Sequence, residues 1–196
     1  MVYHAARRAG APGAPLVLTF HGTGGDEMQF HALAAGIWPS AHVVSPRGDV
    51  SEGGALRFFR RTGEGVYDMD DLARRTAALA GFIAAEKART GAAEVWGMGY
   101  SNGANILAAV SFARPDLADR LILLHPLIPF VPAPAAMDGV RILVTAGRRD
   151  PICPPALSQR LADWYAAQGA EVDLHWHPGG HEIAASEVAA IRALAG

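Results

Sequence analysis

Apolar runs recur along the chain at residues 16–20, 42–45, 94–97, 120–124, 141–146 and 171–175. Several are apolar on successive residues rather than on alternate ones, the pattern of strands covered on both faces of a parallel sheet. Between them the apolar spacing lengthens to the helical period. Over 70–89, Leu72, Leu79, Phe82 and Ile83 share one face, and over 102–114 Ile106, Leu107 and Val110 do the same. Segment 154–168 opens with prolines, which a first helical turn tolerates, and stacks Leu157, Leu161 and Trp164; segment 182–194 aligns Val188 and Ile191. Strand and helix alternate almost to the end, which predicts an α/β fold: a mostly parallel, doubly wound sheet with helices on both faces. Ligands of such sheets bind at the carboxyl ends of the strands.

Composition narrows the picture. A chain of 196 residues with no abrupt compositional boundary reads as one domain over 1–196, and 51% apolar against 18% charged residues suits a filled, water-soluble core. A net charge of −2 offers no basic face, so no nucleic-acid partner is expected. Arg57, Arg60 and Arg61 are the local exception; they could meet an anionic substrate, but a surface loop is the simpler reading. The single cysteine, Cys153, excludes an intrachain disulfide and reads as a packed or loop thiol. Residues 1–13 lack the pattern of an export signal, and the apolar stretch 121–137 is broken by His125 and four prolines. No membrane span and a cytoplasmic location are therefore expected; the sequence leaves a homodimer open.

Gly99-Tyr100-Ser101-Asn102-Gly103 follows a predicted strand and opens a predicted helix, the context that the G-x-S-x-G pattern requires. A serine at so sharp a turn has an unfavourable backbone, and side chains two residues away on either side would collide. Serine needs a base to become nucleophilic near neutral pH, and histidine is the side chain suited to that task. His181 is the candidate among eight histidines, because Pro178-Gly179-Gly180-His181 is a loop after a strand and before the last helix. His175 and His177 are nearby alternatives, whereas His4 and His42 lack such a position. Asp150, in the turn Arg148-Arg149-Asp150-Pro151 after the 141–146 strand, is the carboxylate expected to orient the base. His21-Gly22-Thr23-Gly24-Gly25-Asp26 follows the first strong strand, so the Thr23 N–H, with that of Asn102, is the expected oxyanion donor. A phosphate-cradling loop is the rival, but the P-loop lysine and spacing are missing.

Together with Ser45-Pro46-Arg47-Gly48, Arg57-Phe58-Phe59-Arg60, Asn102-Gly103-Ala104-Asn105 and Asp150-Pro151-Ile152, these segments resemble the phospholipase/carboxylesterase branch of the α/β-hydrolases over nearly the whole chain. The resemblance implies a single-domain α/β-hydrolase fold with little or no lid. It carries a Ser101, Asp150, His181 triad and oxyanion donors on Thr23 and Asn102. Members of that branch include carboxylesterases, acyl-thioester hydrolases and proteins linked to aromatic-compound metabolism. Some related dienelactone hydrolases place cysteine where this chain has Ser101.

The expected activity is hydrolysis of small soluble esters through an acyl-enzyme, with no metal and no organic cofactor. Phe58, Phe59, Leu127, Ile128, Phe130 and Val131 are the candidate substrate pocket, with packing beneath loops as the competing role. Alternatives on the same triad are an acyl-thioester hydrolase and an acyltransferase or perhydrolase. A non-catalytic small-ligand sensor retaining the fold is the alternative of a different class.

Overall fold

Leu16, Leu18 and Phe20 pack into one apolar cluster and Val17 into another, so a single run of five residues supplies both sides of a sheet. The same division recurs at Leu121 and Leu123 against Ile122 and Leu124. This is the physical content of the non-alternating runs: every side chain is covered, whichever way it points.

The structure is a computed structural model describing residues 3–194. In chain order the elements are β1 (Ala5–Arg8), β2 (Leu16–Phe20), α1 (His31–Ile37) and β3 (His42–Pro46), then the short strands β4 (Val50–Glu52), β5 (Ala55–Arg57), β6 (Arg61–Gly63) and β7 (Val66–Tyr67). There follow α2 (Met69–Thr90), β8 (Val95–Tyr100), α3 (Asn102–Ala113), β9 (Arg120–Leu124), β10 (Arg141–Gly147), α4 (Pro155–Ala167), β11 (Glu171–His177) and α5 (Ala185–Leu194). The main sheet has seven strands in the order β1-β3-β2-β8-β9-β10-β11, all parallel except β1, which runs antiparallel to β3. One cluster packs residues of α2, α3 and α4 against one face, and the other packs residues of α1 and α5 against the opposite face. The chain is a single-domain, mostly parallel α/β structure; four residues of the 1–196 span, two at each end, lie outside the described ones.

Three features depart from the sequence pattern. The edge strand β1 reads Ala-Ala-Arg-Arg, with no alternation to announce it. Helix α1 is seven residues long and mostly alanine and glycine between its ends, too short for its period to register. The last helix starts at Ala185 rather than at 182, because the Glu187 carboxylate turns back to accept the Ala184 N–H at 2.5 Å.

Helix α2 fixes the segment beside the site. Asp68 caps it by accepting the Asp71 N–H at 2.9 Å, and Gly91 ends it in the left-handed region at φ 67°. Buried Asp71 then accepts the Arg60 N–H at 2.8 Å, tying residues 57–61 to the helix. Among the described residues, no helix is long and apolar enough to cross a membrane.

Leu123 is fully buried in β9, an interior strand of the sheet. Leu123→Ala is expected to lower stability by about 2–5 kcal/mol, the cost of lost burial plus the cavity left behind. Urea unfolding checks this, and a loss below about 1 kcal/mol would contradict the two-sided burial of β9.

Candidate active site

β8 delivers the chain to Ser101, whose φ of 52° and ψ of −117° lie outside the regions that serine normally occupies. The turn closes because its neighbours have no side chain. A Cβ on Gly99 would lie 2.6 Å from the Gly103 carbonyl carbon, and one on Gly103 would overlap the carbonyl oxygens of Phe20 and His21. The glycines thus let strand, turn and helix meet at distances that alanine forbids. The Ser101 N–H donates to Leu124 O at 2.9 Å, and α3 begins at the next residue.

His181 comes from the loop after β11 and meets Ser101 at that turn, Nε2 to Oγ 2.9 Å. Its Nδ1 lies 2.7 Å from Asp150 Oδ2, and the Tyr100 hydroxyl donates to its backbone carbonyl at 2.7 Å. With Nδ1–H donated to the carboxylate, Nε2 is left as the acceptor facing the serine hydroxyl. Asp150 Oδ1 accepts the N–H groups of Ile152 and Cys153 at 2.8 and 2.9 Å. Burial alone would raise its titration; the Cys153 N–H, the rings of His181 and His125 and the Ile152 N–H outweigh it and hold the carboxyl below its ordinary range. The three side chains, 49 and 31 residues apart in the chain, therefore form one hydrogen-bonded line.

Thr23 and Asn102 border the same cleft as Ser101. Among the described residues neither backbone N–H has a protein acceptor, which leaves two donors beside the hydroxyl. The glycine loop carrying Thr23 is held from several sides. Gly48 N–H donates to His21 Nε2 at 2.9 Å, so the remaining His21 proton lies on Nδ1, 2.7 Å from Gly22 O. Burial holds His21 below its ordinary titration, which favours this neutral tautomer. Gly22 N–H donates to Gln29 Oε1 at 2.8 Å, and Arg57 Nη1 donates to Thr23 Oγ1 at 2.8 Å.

The cleft is narrow, with a cavity volume of about 30 Å³, and is more polar than the sequence suggests. Of the six apolar residues expected to form a pocket, Leu127 alone lines it. Phe58 and Phe59 are fully buried: Phe58 packs edge-on against Phe20 at 5.6 Å between ring centroids, and Phe59 against Tyr67 at 4.8 Å. They serve as the packing that the sequence left as the competing role. Ile128 and Phe130 border a separate apolar depression with Trp164, and Val131 there is 76% exposed. The proline-rich segment turns away from Ser101 after Leu127, whose N–H is held by Asn105 Oδ1 at 2.6 Å.

The surface-loop reading of the arginines holds for Arg60 and is corrected for Arg57. Arg57 is 3% exposed and borders the cleft with Arg61, Glu64, Tyr67 and Asn105, while Arg60 faces solvent. Arg61 pairs with Glu52 and Glu64, and Arg57 Nε lies 3.3 Å from Glu52, so the positive charge is locally balanced. Cys153 is buried with its thiol donating to His125 O at 3.2 Å, and burial pushes its titration up, away from a reactive thiolate.

Sequence reasoning missed His125 and Glu187. His125 follows β9 with φ 51°, is fully buried, and places Nδ1 2.9 Å from Asp150 Oδ2. Glu187, also fully buried, lies 3.1 Å from His125 Nε2 and 3.5 Å from His177 Nε2. One signal was available: Glu187 sits four residues before Ile191, on the buried side of α5. His177 is thus removed from the cleft, and His175 contacts Ser186 instead at 3.1 Å.

No family model matches the chain. It is 39% identical over 176 residues to a protein of Bacillus subtilis (strain 168) named "Putative hydrolase MhqD", covering 88% of each chain. Among solved structures, the protein Atu2452 of unknown function from Agrobacterium tumefaciens superposes with a TM-score of 0.95 at 53% identity, over 98% of this chain and 95% of that one. A carboxylesterase of Bacillus cereus superposes with a TM-score of 0.93 at 34% identity, over 98% and 93%.

Gly103→Ala should cost about 1–3 kcal/mol by forcing α3 away from the β2 carbonyls. Gly81→Ala in α2, where a Cβ meets open space, should be neutral or stabilise by up to about 1 kcal/mol. Paired thermal melts check both, and equal behaviour of the two variants would contradict the close approach at Ser101.

Proposed function

This chain belongs to the α/β-hydrolases of the phospholipase/carboxylesterase type, and within that family we propose that it is a serine carboxylesterase acting on small soluble esters through Ser101, His181 and Asp150. The observation that carries the proposal is the continuous line from Ser101 Oγ through the His181 ring to Asp150, at 2.9 and 2.7 Å. The relatives support hydrolase activity at the coarser level.

In the proposed reaction Ser101 Oγ attacks the ester carbonyl as His181 Nε2 takes its proton. Asp150 stabilises the imidazolium that forms, and the N–H groups of Thr23 and Asn102 hold the oxyanion, each worth roughly 3 kcal/mol at such sites. Collapse of the tetrahedral intermediate breaks the bond to the alkoxy oxygen, which leaves as the alcohol with the His181 proton. Water then adds to the acyl-enzyme, giving up a proton to His181, and a second collapse returns that proton to Ser101 and releases the acid. The carboxyl edge of the sheet, where Ser101 sits, is also where ligands of open α/β sheets bind.

The size and lining of the cleft favour short, polar acyl groups. Only Leu127 and Ile152 among its border residues offer sizeable apolar side chains, beside Arg57, Arg61, Glu64, Tyr67 and Asn105. A long acyl chain would have little apolar surface to bury there.

A panel of p-nitrophenyl esters, thioesters and lactones tests the assignment alongside a fluorophosphonate probe. Ser101→Ala is expected to abolish labelling and lower kcat by about 10³-fold or more. Short esters are expected to turn over faster than long-chain ones. A wild-type protein that binds a small ligand but resists the probe would favour the sensor instead, and long esters cleaved as fast as short ones would refute the substrate size.

A further inference from the structure

The hydrogen-bonded line that begins at Ser101 does not end at Asp150. His125 continues it, with Nδ1 2.9 Å from Asp150 Oδ2 and Nε2 3.1 Å from Glu187 Oε1, all three side chains fully buried. We propose that His125 is held as an imidazolium between the carboxylates of Asp150 and Glu187, and that it is a positioning residue, fixing Asp150 behind His181 while offsetting one of the two buried negative charges. Its catalytic part rests on the reading of Ser101, His181 and Asp150 given above.

A proton inventory supports the charge. Carboxylate oxygens only accept, so each close approach to His125 is favourable when the facing ring nitrogen carries a proton. His177 is accounted for separately. Its Nδ1 accepts the Gly179 N–H at 3.1 Å, which puts the proton of the neutral ring on Nε2, 3.5 Å from Glu187 Oε2 and 3.4 Å from His125 Nε2. The rival arrangement has His177 donating to a bare His125 Nε2. That lone pair would then face a carboxylate oxygen 3.1 Å away in a site without solvent, where repulsion is poorly screened. Glu187 is itself held by donors, Thr145 Oγ1 and the Ala184 N–H, both at 2.5 Å.

The other titratable groups around His125 are Tyr100, whose ring lies 5.9 Å away, His181 at 5.1 Å, Cys153 on its carbonyl, and the more distant Glu182. Burial alone would drive the second proton off His125; hydrogen bonds to Glu187 and Asp150, and their charges, outweigh it and raise its titration above the ordinary 6.5. The same contacts lower both carboxyls. Counting charges, Asp150, Glu187 and His125 carry a net −1 behind a neutral His181. Without the His125 charge this becomes −2, and the protonated form of His181 is favoured before substrate is attacked.

Nitrogen-15 spectra of the histidine-labelled full chain read the charge directly. The expected result is one ring with both nitrogens protonated from pH 6 through pH 8, which Glu187→Gln converts to a single-proton tautomer. A neutral His125 in the wild type at pH 6–8 would overturn the proposal. So would one equivalent of divalent metal found by elemental analysis after dialysis, because the His125, His177 and Glu187 atoms are close enough to share an ion in place of those protons.

His125→Asn supplies the kinetic test, since asparagine tolerates a positive φ and keeps a donor for Asp150 but no charge. It is expected to lower kcat about ten- to a hundredfold with KM little changed, and to move the acid limb of the kcat/KM profile up by roughly one pH unit. A folded variant with wild-type kcat and an unmoved limb would overturn the positioning role. If wild-type Ser101 resists the fluorophosphonate and no ester is cleaved, the esterase reading fails and the positioning role with it, while the nitrogen spectra still decide the charge on His125.

Discussion

A carboxylate buried at the carboxyl edge of the sheet organises this molecule. Asp150 accepts four hydrogen bonds, two backbone N–H groups on Oδ1 and two imidazole rings on Oδ2, while its side chain is closed to solvent. An ionised carboxyl in such a place is tolerable only when its lone pairs are met. The four partners come from three parts of the chain: the turn after β10 supplies both N–H groups, the residue following β9 supplies one ring, and the loop after β11 supplies the other. Satisfying one charge therefore fixes three loops relative to one another.

The second constraint is steric and acts on the other side of Ser101. Gly99 and Gly103 let β8, the turn and α3 approach the end of β2 more closely than any side chain permits. Asn102 extends that link by accepting the Phe58 N–H at 2.7 Å, and Asp71 holds Arg60 from α2. The segment between them carries Arg57 to the rim of the cleft and sends Phe58 and Phe59 into the core. Polar lining and apolar packing beneath it thus come from three consecutive residues: β5 ends at Arg57, and the chain bends through Phe58 and Phe59, both of which are fully buried.

The polarity of the cleft follows from which elements reach it. Tyr67, whose hydroxyl donates to the Leu127 carbonyl, also accepts from Asn105 Nδ2 at 2.9 Å, so these three residues line the cleft as one polar network. The larger apolar groove, between α2 and α3 with Phe130 at its edge, lies away from the serine. Volume and hydrophobicity alone would point there; Ser101, with the His181 ring 2.9 Å from its hydroxyl, lines the smaller, polar cleft instead.

What the sequence determined by itself was what local pattern can encode. Non-alternating apolar runs gave the buried parallel strands, and the helical period gave α2, α3 and α4. Glycines flanking Ser101 gave the turn, since a backbone conformation restricts residue type at fixed offsets. The loop positions of His181 and Asp150 followed from the strand and helix boundaries around them. Tertiary structure alone decided what depends on direction and on partners distant in the chain. Phe58 turned inward while Arg57 lined the cleft, a difference of one residue that the apolar run around them could not resolve. His125 read as an interruption in an apolar stretch and Glu187 was not singled out at all; each is stable in the core only because the other, with Asp150, is there to meet it.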